Sequence, residues 1–191
     1  MPKSLVNMLQ SATKIMDSLA DNRETPLHVG ETMACWTYLA FVGSIVTYEE
    51  VALNTVTDPK LKELIQDAKG IANSHKKRLS EFMRKEGIPL PALPEDKPKS
   101  DPSSIPLGAR LTDDEIVNTL AVNFVFAADT CAASASQSLR TDVGLMFLQF
   151  QMDKLSLGFK ARELMKKKGW LKIPPYYHPP GSPMQNDSQS P

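Results

Sequence analysis

His75 is the residue best placed to do chemistry, because it interrupts an otherwise apolar run of Leu61, Ile65, Ala68, Ile71, Leu79 and Phe82 at helical spacing. Glu49 and Glu50 continue a second apolar run, and Asp129 is the lone charge between Ile116 and Leu139. Carboxylates and a histidine on the inner faces of helices are the raw material of a di-metal site. That chemistry needs inward carboxylates from two helices and a Glu-x-x-His pair from each of two others, since a three-residue step puts both ligands on one helix face. The chain contains no Glu-x-x-His; His28 and Glu31 stand in the reverse order, and neither Asp153 nor Glu163 has a histidine three positions on. Glu31, Glu49, Glu50, His75 and Asp129 are therefore the metal candidates, and the expectation is that no metal or other cofactor is held. His75 and Asp129 are instead expected to be buried and satisfied by hydrogen bonds, because an unpaired buried charge is costly.

Other reaction types lack their residues. There is no Gly-rich phosphate loop, no Gly-x-Ser-x-Gly elbow and no Cys-x-x-Cys. Cys35 and Cys131 each sit in an uncharged stretch, with no histidine nearby in sequence, and read as buried thiols of a reducing compartment. The chain is thus not expected to be an enzyme. An apolar pocket for a small molecule is permitted by the methionine and aromatic content, without being argued by it.

Four long helices must position these residues. The first is expected over 26–55, opened by Thr25-Pro26 and carrying Trp36, Leu39, Val42, Val46 and Leu53 inward. The second, over 59–86, is opened by Asp58-Pro59 and closed by Gly87. The third, over 113–138, starts with a Thr112–Glu115 capping box. From Ile116 to Leu139 its only charge is Asp129, which predicts that most of its circumference is buried, and the small residues from Ala127 to Ser138 allow close helix approach. The fourth, over 142–168, runs through Val143, Phe147, Phe150, Leu155, Phe159 and Leu164 and ends at Lys166–Lys168 and Gly169.

Helices two and four end alike, in FMRKEGIPLP and LMKKKGWLKIPP, so one hairpin unit used twice is the simplest organisation. Between the hairpins, 88–111 holds six prolines and must be extended or irregular. It is long enough to run the bundle's length and start helix three beside the start of helix two. The fold class is therefore all-α: a four-helix bundle of two helical hairpins with a long Pro-rich crossover, the ferritin-like variant. The bundle occupies 25–180, with an amphipathic segment at 1–24 that could add a short helix and a disordered tail at 181–191.

The formal net charge is zero, from 22 basic and 22 acidic side chains. That balance disfavours a nucleic-acid partner and leaves little repulsion between copies, which favours self-association. Thr32 to Tyr48 is uncharged but is broken by Thr, Ser, Gly and Tyr and bracketed by Glu31 and Glu49, so no membrane span is expected. Pro174-Pro175-Tyr176-Tyr177 has the form of a proline-rich ligand. The stronger expectation is that Trp170, Ile173 and Tyr176 cover the bundle end; Trp170, Tyr176 and Tyr177 are the candidate interaction residues.

Several of these residues resemble a family from spore-forming bacteria, uncharacterised and spore-coat-like proteins with a ferritin-like helical bundle. The resemblance spans about Leu27 to Pro180. It rests on Glu31 with Trp36, Asp58 with Leu61, GIPLP at Gly87 to Pro91, LRTDVGLMF at Leu139 to Phe147 and KKGWLKIPPYY at Lys167 to Tyr177. It implies a non-catalytic structural or interaction protein of sporulation or stress, cytoplasmic or spore-associated, whose partners are further copies or other spore and coat proteins; the alternative reading is a metal-binding or redox ferritin-like bundle using Glu31, Glu49 or Glu50, His75 and Asp129. It supplies no catalytic residues.

Overall fold

The computed structural model describes residues 25–177 and 179–180. Four helices follow one another: α1 (Val29–Thr55), α2 (Pro59–Lys85), α3 (Asp113–Gln137) and α4 (Thr141–Lys168). Among the described residues there is no strand. α1 pairs with α2 and α3 with α4 as antiparallel hairpins. The expected N-terminal segment at 1–24 and the tail at 181–191 lie outside the described residues.

Local chemistry sets most of the boundaries. The Asp58 carboxylate accepts the amides of Lys60 and Leu61 at 2.9 and 3.0 Å, so α2 starts where Pro59 follows an N-cap. Thr112 and Glu115 form the reciprocal capping box of α3. α2 and α4 end in the same way. Gly87 and Gly169 take φ of 73° and 72°, which only glycine adopts without strain. The next amides, of Ile88 and Trp170, then turn back onto the carbonyls of Met83 and Met165. The repeat seen in the sequence is thus a shared helix-ending motif. It does not extend to the helix starts, because α4 has Arg140 at its N-cap with no side-chain cap.

The crossover climbs α1. Leu93 packs on the core, the Lys97 amide donates to Glu50 at 2.7 Å, and Asn54 bonds the backbone of both Pro98 and Ser100. Two short 3-10 turns, Pro102–Ser104 and Leu107–Ala109, complete the path. Asp113 then accepts the amides of Thr57 and Asp58, both at 2.9 Å, which sets the start of α3 against the start of α2. The core lies in two regions, one around Tyr38, Leu79, Phe147 and Phe150 and one around Leu61, Ile65, Leu120 and Phe124. Each such side chain contributes about 1.5–3 kcal/mol by leaving water.

The structure corrects four expectations. α1 starts at Val29, not Pro26, because the His28 ring nitrogen accepts the Gly30 and Glu31 amides while Glu31 accepts the His28 amide. Histidine serves here as an N-cap, outside the usual Ser, Thr, Asp and Asn. Trp36 is exposed rather than inward, and so is one whole side of α3, including Val122, Val125, Phe126 and Asp129. α4 is rotated relative to the expected stripe: Phe147, Phe150, Lys154, Leu157 and Ala161 face the core, while Leu155 and Phe159 face outward. The small residues of α3 do allow close approach, since a β-carbon on Gly144 would lie 3.4 Å from the Ala135 carbonyl oxygen.

Candidate functional site

A chain of polar groups crosses the core from α3 to the surface of α4. The Cys131 thiol (α3) faces the Tyr38 hydroxyl (α1). The Tyr38 hydroxyl lies 3.1 Å from His75 Nδ1 (α2), and His75 Nε2 lies 3.1 Å from Asp153 Oδ2 (α4). The helical periodicity of four different helices brings these groups together. Phe150 stacks on His75 with ring centroids 4.0 Å apart, and Tyr38 stacks on Phe150 at 5.6 Å.

Burial lowers the His75 pKa to about 4, outweighing the hydrogen bond to Asp153 that would raise it. The imidazole is therefore neutral near pH 7 and has one N–H. With the Asp153 carboxylate at Nε2, the proton sits on Nε2 and Nδ1 accepts from the Tyr38 hydroxyl. Burial also raises the Tyr38 hydroxyl well above its ordinary value and pushes the Cys131 thiol up to about 11 and Cys35 to about 12. Both thiols are protonated and buried, the opposite of an activated nucleophile. Sequence spacing placed no histidine near Cys131, yet His75 is one hydroxyl away from it.

Deeper in the bundle, Glu49 (α1) is fully buried, and neither carboxylate oxygen has a hydrogen-bond partner. Burial raises its pKa to about 7, against the attraction of Lys154 and Lys69. Lys154 (α4) is itself buried, its ammonium 5.9 Å from the centre of the Phe124 ring, and burial lowers its pKa. Sequence reasoning missed Lys154, although its position between Phe150 and Leu157 fits the inward face.

The metal candidates are not brought together. Glu31 caps α1 and accepts the amides of Leu139 and Arg140 at 2.9 and 2.7 Å. Glu50 holds the crossover at Lys97 and pairs with Lys69 at 2.8 Å. Asp129 points to solvent, against the expectation that it is buried, because α3 turns that side outward. His75 is buried and hydrogen-bonded as expected. Only Glu49 offers free oxygens in the core, and the group whose charge acts most strongly on it is the Lys154 cation. One lone carboxylate, with no second ligand beside it, does not fit a di-metal centre. Among the described residues no three His, Cys, Asp or Glu side chains converge as ligands.

The distinctive motif residues gather at the two bundle ends. At one end Arg140 is buried and bonds Glu86 through both terminal nitrogens, at 2.6 and 3.1 Å, and Asp142 at 2.6 and 3.0 Å. At the other, Lys168 pairs with Asp58, Lys172 pairs with Asp114, and the Trp170 carbonyl accepts from Asn118 at 3.2 Å. Trp170 is half-buried there with Leu171. Ile173, Tyr176 and Tyr177 are exposed in the single chain, so Ile173 and Tyr176 do not help to cover the end. Trp170 and Leu171 already fill it, and Pro174-Pro175 carries the chain away. A cleft of about 380 Å³ lies between the crossover and helices α1 and α2, lined in part by Lys62, Lys69, Lys97 and Lys99. Its lining mixes these lysines with Leu53, Val56 and Pro102, unlike the apolar interhelical pocket the composition permits.

This chain is similar to an uncharacterized protein of Bacillus subtilis, YvdQ, with 33% identity over 156 residues that cover 82% of this chain and 91% of that one. Among solved structures it is similar to a "putative spore coat protein" of Bacillus halodurans, with 37% identity and a TM-score of 0.80 over 82% of this chain and 99% of that one. A two-domain protein of Anabaena variabilis, containing DJ-1/ThiJ/PfpI-like and ferritin-like domains, aligns with a TM-score of 0.60 and 11% identity. That alignment covers 85% of this chain and 47% of the Anabaena chain, a likeness of fold alone. Residues 15–182 match the model of a family of unknown function, DUF3231, and the chain belongs to that family.

Proposed function

We propose that this protein is a non-catalytic, spore-associated structural component that acts through its outer surfaces. The observation that carries the reading is where its polar residues are committed. Arg140, Asp142, Glu31, Lys168 and Lys172, all but Glu31 from the chain's two most distinctive motifs, tie helix ends together. The core polar chain reaches the surface only at Asp153, and its neutral histidine and protonated thiols favour packing over turnover. The likeness to the Bacillus halodurans protein, at 37% identity, supports a place in the spore, with other spore or coat proteins and further copies of the chain as partners. Synthesis in the cytoplasm followed by incorporation is the localisation this implies. A fluorescently tagged copy expressed in a sporulating Bacillus tests it. Recruitment to the forming spore is the expected result; a signal that stays diffuse in the mother cell and forespore through spore release would overturn the reading.

A further inference from the structure

α4 carries a second apolar face that the described residues leave largely exposed, with Arg162 over the Phe159 ring at 5.7 Å from its centre. Leu145, Leu148, Met152, Leu155 and Phe159 recur at three- and four-residue steps and are each 38–59% exposed. That is the a/d spacing of a coiled-coil seam, repeating every seven residues over two and a half turns of the pattern. The flanking positions Gln149, Gln151 and Ser156 carry no charge. The charges that do occur in this stretch point elsewhere: Lys154 into the core and Asp153 to His75.

The seam borders α3. Gly144 and Gly158, where a β-carbon would meet Ala135 and Phe124, lie on the adjoining edge of the helix. Because the two helices run antiparallel, Val122 and Val125 come level with Leu155 and Phe159. Both valines are more than half exposed. Together these side chains offer on the order of 600 Å² of apolar surface per copy, which meets the lower end of specific, stable interfaces at roughly 1,200 Å² in total. Surfaces of this size on a soluble chain mark an interaction site.

The seam is nearly its own mirror. Reversed about Met152, Leu145 falls on Phe159 and Leu148 within one residue of Leu155, so two antiparallel copies keep apolar residues together along the seam and hold the Lys166–Lys168 ends of their α4 helices apart. We propose that α4 is the self-association helix, and that a second copy packs antiparallel on this seam with Met152 at the two-fold axis. The zero net charge of the chain leaves little long-range repulsion against such a pairing. The inference deepens the reading of a surface-acting protein and rests on it only for biological purpose. The two fail separately, since a monomer recruited to spores would sink the dimer alone.

The test uses the full chain with single cysteines on α4 and a short bis-maleimide, Cys35 and Cys131 being buried. Met152→Cys is expected to cross-link to itself. Leu145→Cys alone is not, because in an antiparallel pair the two copies of residue 145 lie about 21 Å apart; mixed with Phe159→Cys it is expected to link. Self-linking of Leu145→Cys would show a parallel pair and overturn the arrangement. Light scattering gives the independent readout: the unmodified chain is expected to be a dimer at tens of micromolar, and Leu148→Glu with Leu155→Glu a monomer of unchanged helicity. An unmodified chain that is monomeric, whether residues 1–24 or a lipid surface covers the seam instead, overturns the proposal.

Discussion

Burial moves the protons of Glu49 and His75 in opposite senses over nearly the same pH range. His75 is held neutral with its pKa lowered to about 4 from 6.5, so it contributes stability above 6.5 that is lost as pH falls toward 4. Glu49 has its pKa raised to about 7 from 4.5. Its burial costs nothing below 4.5, and the cost accumulates until pH 7. Each shift is worth on the order of 3 kcal/mol by linkage, so the two slopes nearly cancel between pH 4.5 and 6.5. Single substitutions should unmask them. His75→Gln should give a chain whose stability falls from pH 4.5 to 7, and Glu49→Gln one whose stability rises from pH 4 to 6.5. Urea unfolding across that range measures both. Profiles as flat as the unmodified chain in both variants would mean that neither group is held in the protonation state that burial dictates. At this scale the sequence was half informative. His75 is legible as a buried residue by its apolar neighbours, whereas its partners Tyr38 and Asp153, and Cys131 beyond Tyr38, come from three other helices, and no spacing along one chain shows such a meeting.

Helices are positioned here by carboxylates that work at a distance. Glu31 stood out by type and was weighed as a ligand; its structural role is to close two helix starts at once. One oxygen accepts the His28 amide of its own helix, and the other accepts amides 108 and 109 positions further on, at the start of α4. α4 has no side-chain cap of its own, so Glu31 supplies one. Glu31→Ala should leave three amides without their acceptor and cost about 3 kcal/mol, given the roughly 1–3 kcal/mol penalty for an unsatisfied buried polar group. Glu31→Gln keeps acceptor oxygen on one side only and should fall between. Chemical denaturation of the three proteins gives the order; an alanine variant as stable as the parent would remove Glu31 from this role. The same scale explains the misread face of α4. Val143, Phe150, Leu157 and Ala161 make one apolar stripe, and Leu145, Met152, Leu155 and Phe159 make another. Periodicity detects apolar stripes without saying which one meets the core. Lys154 on the inner stripe, matched to Glu49, pulls a sequence reading toward the wrong one. α3 misleads for the same reason: its apolar residues run nearly all the way round, so an uncharged surface reads as a buried one.

At the scale of the molecule, the bundle's topology was readable because its signals are local: caps at Asp58 and Thr112, glycines at 87 and 169, and a proline-rich stretch too long for a turn. By length and composition α1 and the stretch Leu107–Gln137 could also cross a membrane, with mean hydropathies of 1.3 and 1.5, yet both take their places in the four-helix core. What local signals leave open is how far the C-terminal segment belongs to the fold. Its first residues are anchored at three points: Trp170 and Leu171 against the core, the Trp170 carbonyl on Asn118, and Lys172 on Asp114. Beyond Lys172 the chain makes no comparable contact among the described residues, and Tyr176 and Tyr177 are exposed. Two truncations separate these parts. A chain ending at Lys172 should melt with the full chain. A chain ending at Gly169 loses a half-buried indole, a leucine contact and two polar ties, about 2 kcal/mol together, or roughly 4–8 °C for a chain of this size. If both truncations melt alike, the anchored residues do not stabilise the bundle end. If the shorter deletion alone abolishes dimers or spore recruitment at unchanged melting temperature, Tyr176 and Tyr177 serve a partner and not the fold.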